Sequence, residues 1–168
     1  MKYEIGDFVS KPITGICRIE NILQLDFSSQ KSGKLYYLLI PINDKKEKIY
    51  VPVLNSESKL RLCLTAEEAW DLIKQIPEIQ AIWISNEKMR EQKYKEVIKS
   101  NCPEALVSVI KMIYQRNQER YAHGKKNTAS DIKYFQMAEN LLYGELGVAL
   151  GKPKEEICQL IIDYIDNH

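Results

Sequence analysis

Arg61-Leu62-Cys63-Leu64-Thr65-Ala66-Glu67-Glu68-Ala69-Trp70 is the stretch where the hydrophobic period of this chain changes. Arg61-Leu62-Cys63-Leu64 alternates as a short strand does, with successive side chains on opposite faces. Thr65-Ala66-Glu67-Glu68 has the S/T-x-x-E pattern of a capping box. The Thr65 hydroxyl can accept from the third helical N–H while Glu68 reaches back to the Thr65 N–H. Beyond it Ala69, Trp70, Ile73 and Ile76 recur at helical spacing, and Pro77 stops the run. One β-structured half, residues 1–64, therefore precedes a helical half, residues 65–168, which makes the chain α+β.

Working back from Arg61, turn signals separate short apolar runs. Gly6-Asp7 leads into Phe8-Val9, and Pro12 and Gly15 bracket a turn before Ile16–Ile22. In that run Ile16, Arg18, Glu20 and Ile22 fall on one face and Cys17, Ile19 and Asn21 on the other, an imperfect alternation. Ser28-Ser29-Gln30-Lys31-Ser32-Gly33 reads as a polar hairpin loop. Leu35 to Ile40 is continuously apolar, which predicts a strand buried on both sides. Asp44-Lys45-Lys46 turns the chain into Lys48-Ile49-Tyr50-Val51-Pro52-Val53, with Ile49, Val51 and Val53 inward. Proline lacks an N–H for the ladder, so this strand is predicted at or near a sheet edge. Short strands and short turns in so few residues suggest a small Tudor- or SH3-like barrel.

Working forward from Trp70, the pattern predicts a bundle of about five helices. Glu78–Asn86 holds Trp83 and a short turn, and a polar helix runs from about Glu87 to Lys99. Asn101-Cys102-Pro103-Glu104 opens the next helix, with Asn101 as its cap and Leu106, Val109, Ile110 and Ile113 on its buried side. Tyr121–Asn127 is a loop. Thr128 with Asp131 caps a long helix carrying Ile132, Phe135, Ala138, Leu142, Leu146 and Ala149. Gly151 ends it, and Pro153 opens a last helix with Ile157, Leu160, Ile161, Tyr164 and Ile165 inside.

Apolar residues make up 45% of the 168 and charged residues 28%, a balance that folds and stays in solution. Net charge is +1, so no global field recruits nucleic acid. Residues 86–126 carry a local excess, ten Lys or Arg against five Glu. Four cysteines at 17, 63, 102 and 158 show no CxxC spacing and read as reduced core thiols. No apolar run approaches the roughly 18 residues that span a bilayer. Met1-Lys2-Tyr3-Glu4-Ile5 is too polar for a secretory signal, so the expected compartment is a reducing cytoplasm.

The search for catalytic patterns returns little. His123 sits in a loop beside Gly124 and His168 is terminal, neither beside a nucleophile or in a metal motif. No phosphate-loop, dinucleotide, nucleophile-elbow or zinc-helix motif occurs. The carboxylate pairs Glu67-Glu68 and Glu155-Glu156 lie at helix starts, where they complement the dipole. The expectation is a non-enzyme with no cofactor, metal, membrane or small-molecule substrate. What remains is surface. An edge strand can bind a protein by strand addition. A cationic helical face with an apolar wedge can bind a duplex through its phosphates and one unstacked step. Trp83, just before the charged helix, is either that wedge or a packing anchor, and burial separates the two.

Gly6-Asp7-Phe8-Val9-Ser10-Lys11-Pro12-Ile13-Thr14-Gly15-Ile16 resembles the G-D-x-V-V-Y-P-x-H-G-V opening of the CarD/CdnL/TRCF family. Tyr36-Tyr37-Leu38 and Ile49-Tyr50-Val51-Pro52 resemble its Y-L and V-x-V-P signals. Arg116-Asn117-Gln118-Glu119-Arg120 is similar to its R-D-Q-E-R helix end, and Ala138 to Leu146 to its A-x-x-x-L-x-x-E-L segment. The resemblance spans nearly the whole chain and rests on the order of individually weak motifs.

It implies a bacterial transcription regulator. Residues 1–64 would dock on the RNA polymerase β subunit, with Tyr50 on the docking strand between Lys48 and Pro52. Residues 65–168 would approach promoter DNA at the upstream bubble edge and modulate open-complex stability. In that scheme Trp83 is the minor-groove wedge, and Lys88 and Lys133 match basic positions of the family. Lys11 and Thr14 stand where the family has Tyr and His, Cys17 replaces a Gly, and Tyr50 replaces an arginine. Ser85 and Asn86 replace arginines after the tryptophan, which shifts the expected contact toward Arg90, with Lys125 and Lys126 in the longer loop as compensation. The alternative is a protein–protein adaptor that binds polymerase or another partner without touching DNA.

Overall fold

The computed structural model describes residues 2–26 and 33–166. It is α+β: an antiparallel five-stranded sheet followed by five α-helices. The chain divides into two compact units, Met1–Cys63 and Leu64–His168.

In the first unit the strands are β1 (Phe8–Lys11), β2 (Gly15–Gln24), β3 (Leu35–Pro41), β4 (Ile49–Pro52) and β5 (Arg61–Leu62). Their order is β4-β3-β2-β1-β5, so β4 is an edge, as its proline requires. This is the layout expected of a Tudor-like domain. Of the expected loop Ser28–Gly33, residues 28–32 lie outside the described residues, and Gly33 takes a positive φ of 64°. The imperfect alternation of β2 has a physical cause. A bulge displaces the register between Ile19 and Asn21, so Cys17 and Ile19 point inward before it and Ile22, opposite Tyr37, after it.

β3 departs from expectation. It is not buried on both sides: Tyr37, Leu39 and Pro41 face the core, while Leu38 and Ile40 are half-buried on the outer face and Leu35 is exposed. Its apolar run fills one interior face and floors an outer groove. The interior packs Tyr3 and Tyr37 edge to face, ring centroids 5.7 Å apart. The Tyr3 hydroxyl donates to Leu60 O at 3.1 Å, so a polar tip is satisfied in an apolar core.

The second unit holds α1 (Ala66–Gln75), α2 (Glu87–Ser100), α3 (Pro103–Ala122), α4 (Ala129–Leu150) and α5 (Lys154–Asp166). The capping box at Thr65 forms in both directions, each hydrogen bond 3.1 Å. Trp70 is only half-buried; Ala69, Leu72, Ile73 and Ile76 are the residues that α1 and its cap commit to the core. Asn101 does not cap α3. It ends α2 in the left-handed conformation that asparagine tolerates, and Pro103 opens α3.

The buried stripe of α4 is Asp131, Tyr134, Ala138, Leu142 and Leu146, whereas Ile132 is exposed. Glu145, also buried, accepts from Leu64 N at 2.9 Å. Of the four free cysteines only Cys17 is fully interior, and burial pushes its thiol up to about 11. No helix among the described residues is long and apolar enough to cross a membrane.

Candidate functional site

The connector between α1 and α2 carries Trp83. It has no regular backbone ladder, and side chains from elsewhere in the helical unit satisfy its carbonyls. Lys111 of α3, itself buried, donates to Ile76 O at 2.5 Å, Ile79 O at 2.6 Å and Pro77 O at 3.5 Å. Its ammonium is held at the negative end of α1, and desolvation lowers its pKa. One turn earlier on α3, the Ser108 hydroxyl donates to Gln80 O at 2.8 Å. On the far side of Trp83, Arg90 Nη1 reaches Ile84 O at 3.3 Å and Ser85 O at 3.5 Å. Asn86 then caps α2 by accepting from Met89 N at 3.1 Å.

Arg90 rests on a buried carboxylate. Its Nε lies 3.9 Å from Asp131 Oδ1, the Tyr94 hydroxyl donates to the same oxygen at 2.8 Å, and Arg116 Nε donates to Oδ2 at 2.8 Å. Asp131 is wholly buried, so its charge is held by two guanidiniums and a phenol from α2 and α3. Burial and the Asp131 hydrogen bond raise the Tyr94 pKa.

Between these clamps Trp83 is 59% exposed, among the most exposed large apolar side chains described. Lys88 is exposed on the first turn of α2. Lys133 is exposed on the first turns of α4, its Nζ 5.2 Å from the centre of the Tyr134 ring. The Arg90–Asp131 pair joins those two helices. Two residues along a helix is a rotation of about 200°, which turns Lys88 and Lys133 away from the pair. Lys125 and Lys126 are exposed in the α3–α4 loop, whose backbone is tied down by Arg120 Nε donating to Lys126 O at 3.0 Å.

Arg90 requires a correction. The expectation that it takes over DNA contact does not hold, because its guanidinium is buried and occupied by Asp131 and two carbonyls. Lys111 is likewise interior and Arg116 is paired with Asp131, so three of the ten cations counted between 86 and 126 serve the inside of the unit.

In the first unit Lys48 is exposed just before β4, Tyr50 is 41% exposed on that edge strand, and Pro52 is half-buried at its end. Beside Lys48 an outer groove of about 640 Å³ is floored by Phe8, Leu38 and Ile40 and rimmed by Lys45, Lys48 and the Arg18–Glu20 ion pair. The sequence reading missed this groove because it placed both faces of β3 inside. The pairing Phe8–Arg18–Ile40 across three strands is what aligns it. Among the described residues no cluster of three or more His, Cys, Asp or Glu is placed to hold a metal ion.

Comparison with known proteins gives two matches, one in each unit. Residues 3–63 match the family model of the CarD-like/TRCF RID domain. Residues 70–162 match the model described as glutathione S-transferase, C-terminal domain. No curated protein matches the chain.

Proposed function

We propose that this chain, which belongs to the CarD-like/TRCF RID family through residues 3–63 and to the family of the glutathione S-transferase C-terminal domain through residues 70–162, is a bacterial transcription regulator bridging RNA polymerase and promoter DNA. The first unit docks on the polymerase β subunit through β4, with Lys48, Tyr50 and Pro52 at the contact. The helical unit meets the minor groove at the upstream edge of the bubble. Trp83 is the wedge, and Lys88, Lys125, Lys126 and Lys133 face phosphates.

The observation that carries the reading is the exposure of Trp83 in a chain whose first unit is a RID domain. A tryptophan kept for packing hides its ring; this one presents most of it to solvent from a braced connector. The adaptor alternative needs an interior indole, which the 59% exposure speaks against. The second family is named after an enzyme, but the matched residues here are helices. The Cys158 thiol in that unit is pushed up by burial and by Glu139, away from the thiolate that nucleophilic chemistry needs.

Pull-down against polymerase β fragments, with and without residues 1–63, tests the first half. Loss of capture on deletion is expected, and undiminished capture refutes docking by this unit. Trp83→Ala tests the second half: open-complex lifetime should change while polymerase capture stays level. In DNA-binding titrations over a salt series, Lys88→Ala and Lys133→Ala should each flatten the salt dependence by roughly one phosphate contact.

A further inference from the structure

We infer that Lys111 and Arg90 are positioning residues for Trp83: two buried cations that clamp the connector on either side and hold the indole in one presented conformation. The inference rests on the reading of Trp83 as the DNA-facing residue for its purpose, though not for its geometry.

The connector needs outside help. Just past the end of α1 the chain leaves the helix, and the carbonyls of Ile76, Pro77 and Ile79 are met by an interior side chain, that of Ile76 also accepting from Ile79 N at 3.2 Å. An ammonium has three donors, and Lys111 has a carbonyl within reach of each. Ser108 adds Gln80, so α3 grips the connector on the N-terminal side of Trp83. Arg90 grips Ile84 and Ser85 on the other side.

Stability alone does not call for this arrangement. An ammonium buried against carbonyls, with no carboxylate among its partners here, is a poor substitute for packed hydrocarbon. What buried charge can contribute is a single conformation. Trp83 gains little orientation from packing, since most of its surface is in solvent. The direction of its Cα–Cβ bond is therefore set by backbone, which these donors hold together with Ile79 and Ala81, packed against the core. The Arg90 clamp is in turn fixed by Asp131, which Tyr94 and Arg116 hold from α2 and α3. A wedge that is already fixed loses less freedom on entering a groove than one on a loose loop.

The test uses the full chain in a Trp70→Phe background, where Trp83 is the sole tryptophan. Time-resolved fluorescence anisotropy reports indole motion, and amide hydrogen exchange at Glu78 and Ile79, whose N–H groups donate to Gln75 O and Ile76 O, reports opening of the connector. In Lys111→Met, which removes the contacts to Ile76, Pro77 and Ile79 O, the connector amides should exchange at least about tenfold faster. The amplitude of fast indole motion should rise, while amides of α4 and α5 keep the parent rate. Unchanged motion and exchange overturn the inference.

If Lys111→Met does not fold, Arg90→Lys decides, keeping a charge toward Asp131 while losing the guanidinium reach to Ile84 O and Ser85 O: a looser connector supports the clamp and an unaltered one overturns it. For binding, the probe is a bubble-containing promoter duplex with RNA polymerase. Lys111→Met should weaken DNA engagement about threefold to tenfold, and adding it to Trp83→Ala should weaken nothing further, because it acts through the indole. An additive double variant overturns the positioning role. If instead the connector loosens as expected while Trp83→Ala leaves DNA engagement unaltered, the wedge reading fails and the clamp stands.

Discussion

Asp131 sits where a carboxylate is least expected, wholly buried, and it holds α2 to α4 through Arg90 and Tyr94 and meets α3 through Arg116. Removing it strands two guanidiniums, so Asp131→Ala should cost about 3–5 kcal/mol. Tyr94→Phe removes one donor to a charged acceptor and should cost about 1.5–3 kcal/mol. Urea unfolding orders the two, and an Asp131→Ala penalty smaller than that of Tyr94→Phe contradicts the network. The pH sign follows from Tyr94. Its folded pKa is raised above the ordinary 10.0, so above pH 10 the unfolded chain releases a proton that the native state keeps. Stability from this group is complete below pH 10 and is lost as pH rises toward the folded pKa; Tyr94→Phe should flatten that decline. None of this was legible in the sequence. Arg90 reads as a surface cation because its neighbours are charged, and its partner lies in a helix far along the chain. Trp83 was legible as a choice between two fates, and only burial decides such a choice.

At the scale of elements, local chemistry was read more faithfully than tertiary chemistry. The Thr65 capping box is a contact between residues three apart, so the pattern alone specifies it, and it forms with both hydrogen bonds at 3.1 Å. Thr65→Ala should destabilise the helical unit by about 1 kcal/mol, read as a lowered urea midpoint at unchanged slope. A Glu68→Ala partner variant should show a smaller loss, since the Thr65 hydroxyl remains. Where the reading failed, the reason was burial of a kind that periodicity does not encode. In α4 the interior stripe includes Asp131, Tyr134 and Glu145, polar residues that an apolar pattern skips, and so periodicity points instead to Ile132, which is exposed. In β3 an unbroken apolar run suggested two buried faces. One face is core and the other floors the groove with Leu38 and Ile40. In β2 the bulge after Ile19 swaps faces midway, which alternation by itself registers only as noise.

At the scale of the whole molecule, charge bears on how the proposed DNA contact would be reached. The chain carries a net +1, and Arg90, Lys111 and Arg116 spend their charge on interior carbonyls and Asp131. Little field is left to draw a free duplex, so unassisted binding should be weak, in the nonspecific range of about 10⁻⁴–10⁻⁶ M at physiological salt. The proposed regulator would then depend on delivery. If polymerase holds the first unit, the helical unit meets promoter DNA at an effective concentration set by tethering, which can raise apparent affinity about 10²–10⁴-fold without any new contact. Fluorescence polarisation of a labelled promoter fragment, with and without polymerase, measures the ratio. Tyr50→Ala, on the exposed edge strand, should reduce the enhancement and leave the free-duplex affinity where it was. Trp83→Ala should do the reverse in kind, weakening DNA engagement in both settings while polymerase capture persists. Equal affinity for free and polymerase-bound promoter would mean that the helical unit finds DNA by itself. The buried cations would then have left the surface more attractive to phosphate than their loss implies.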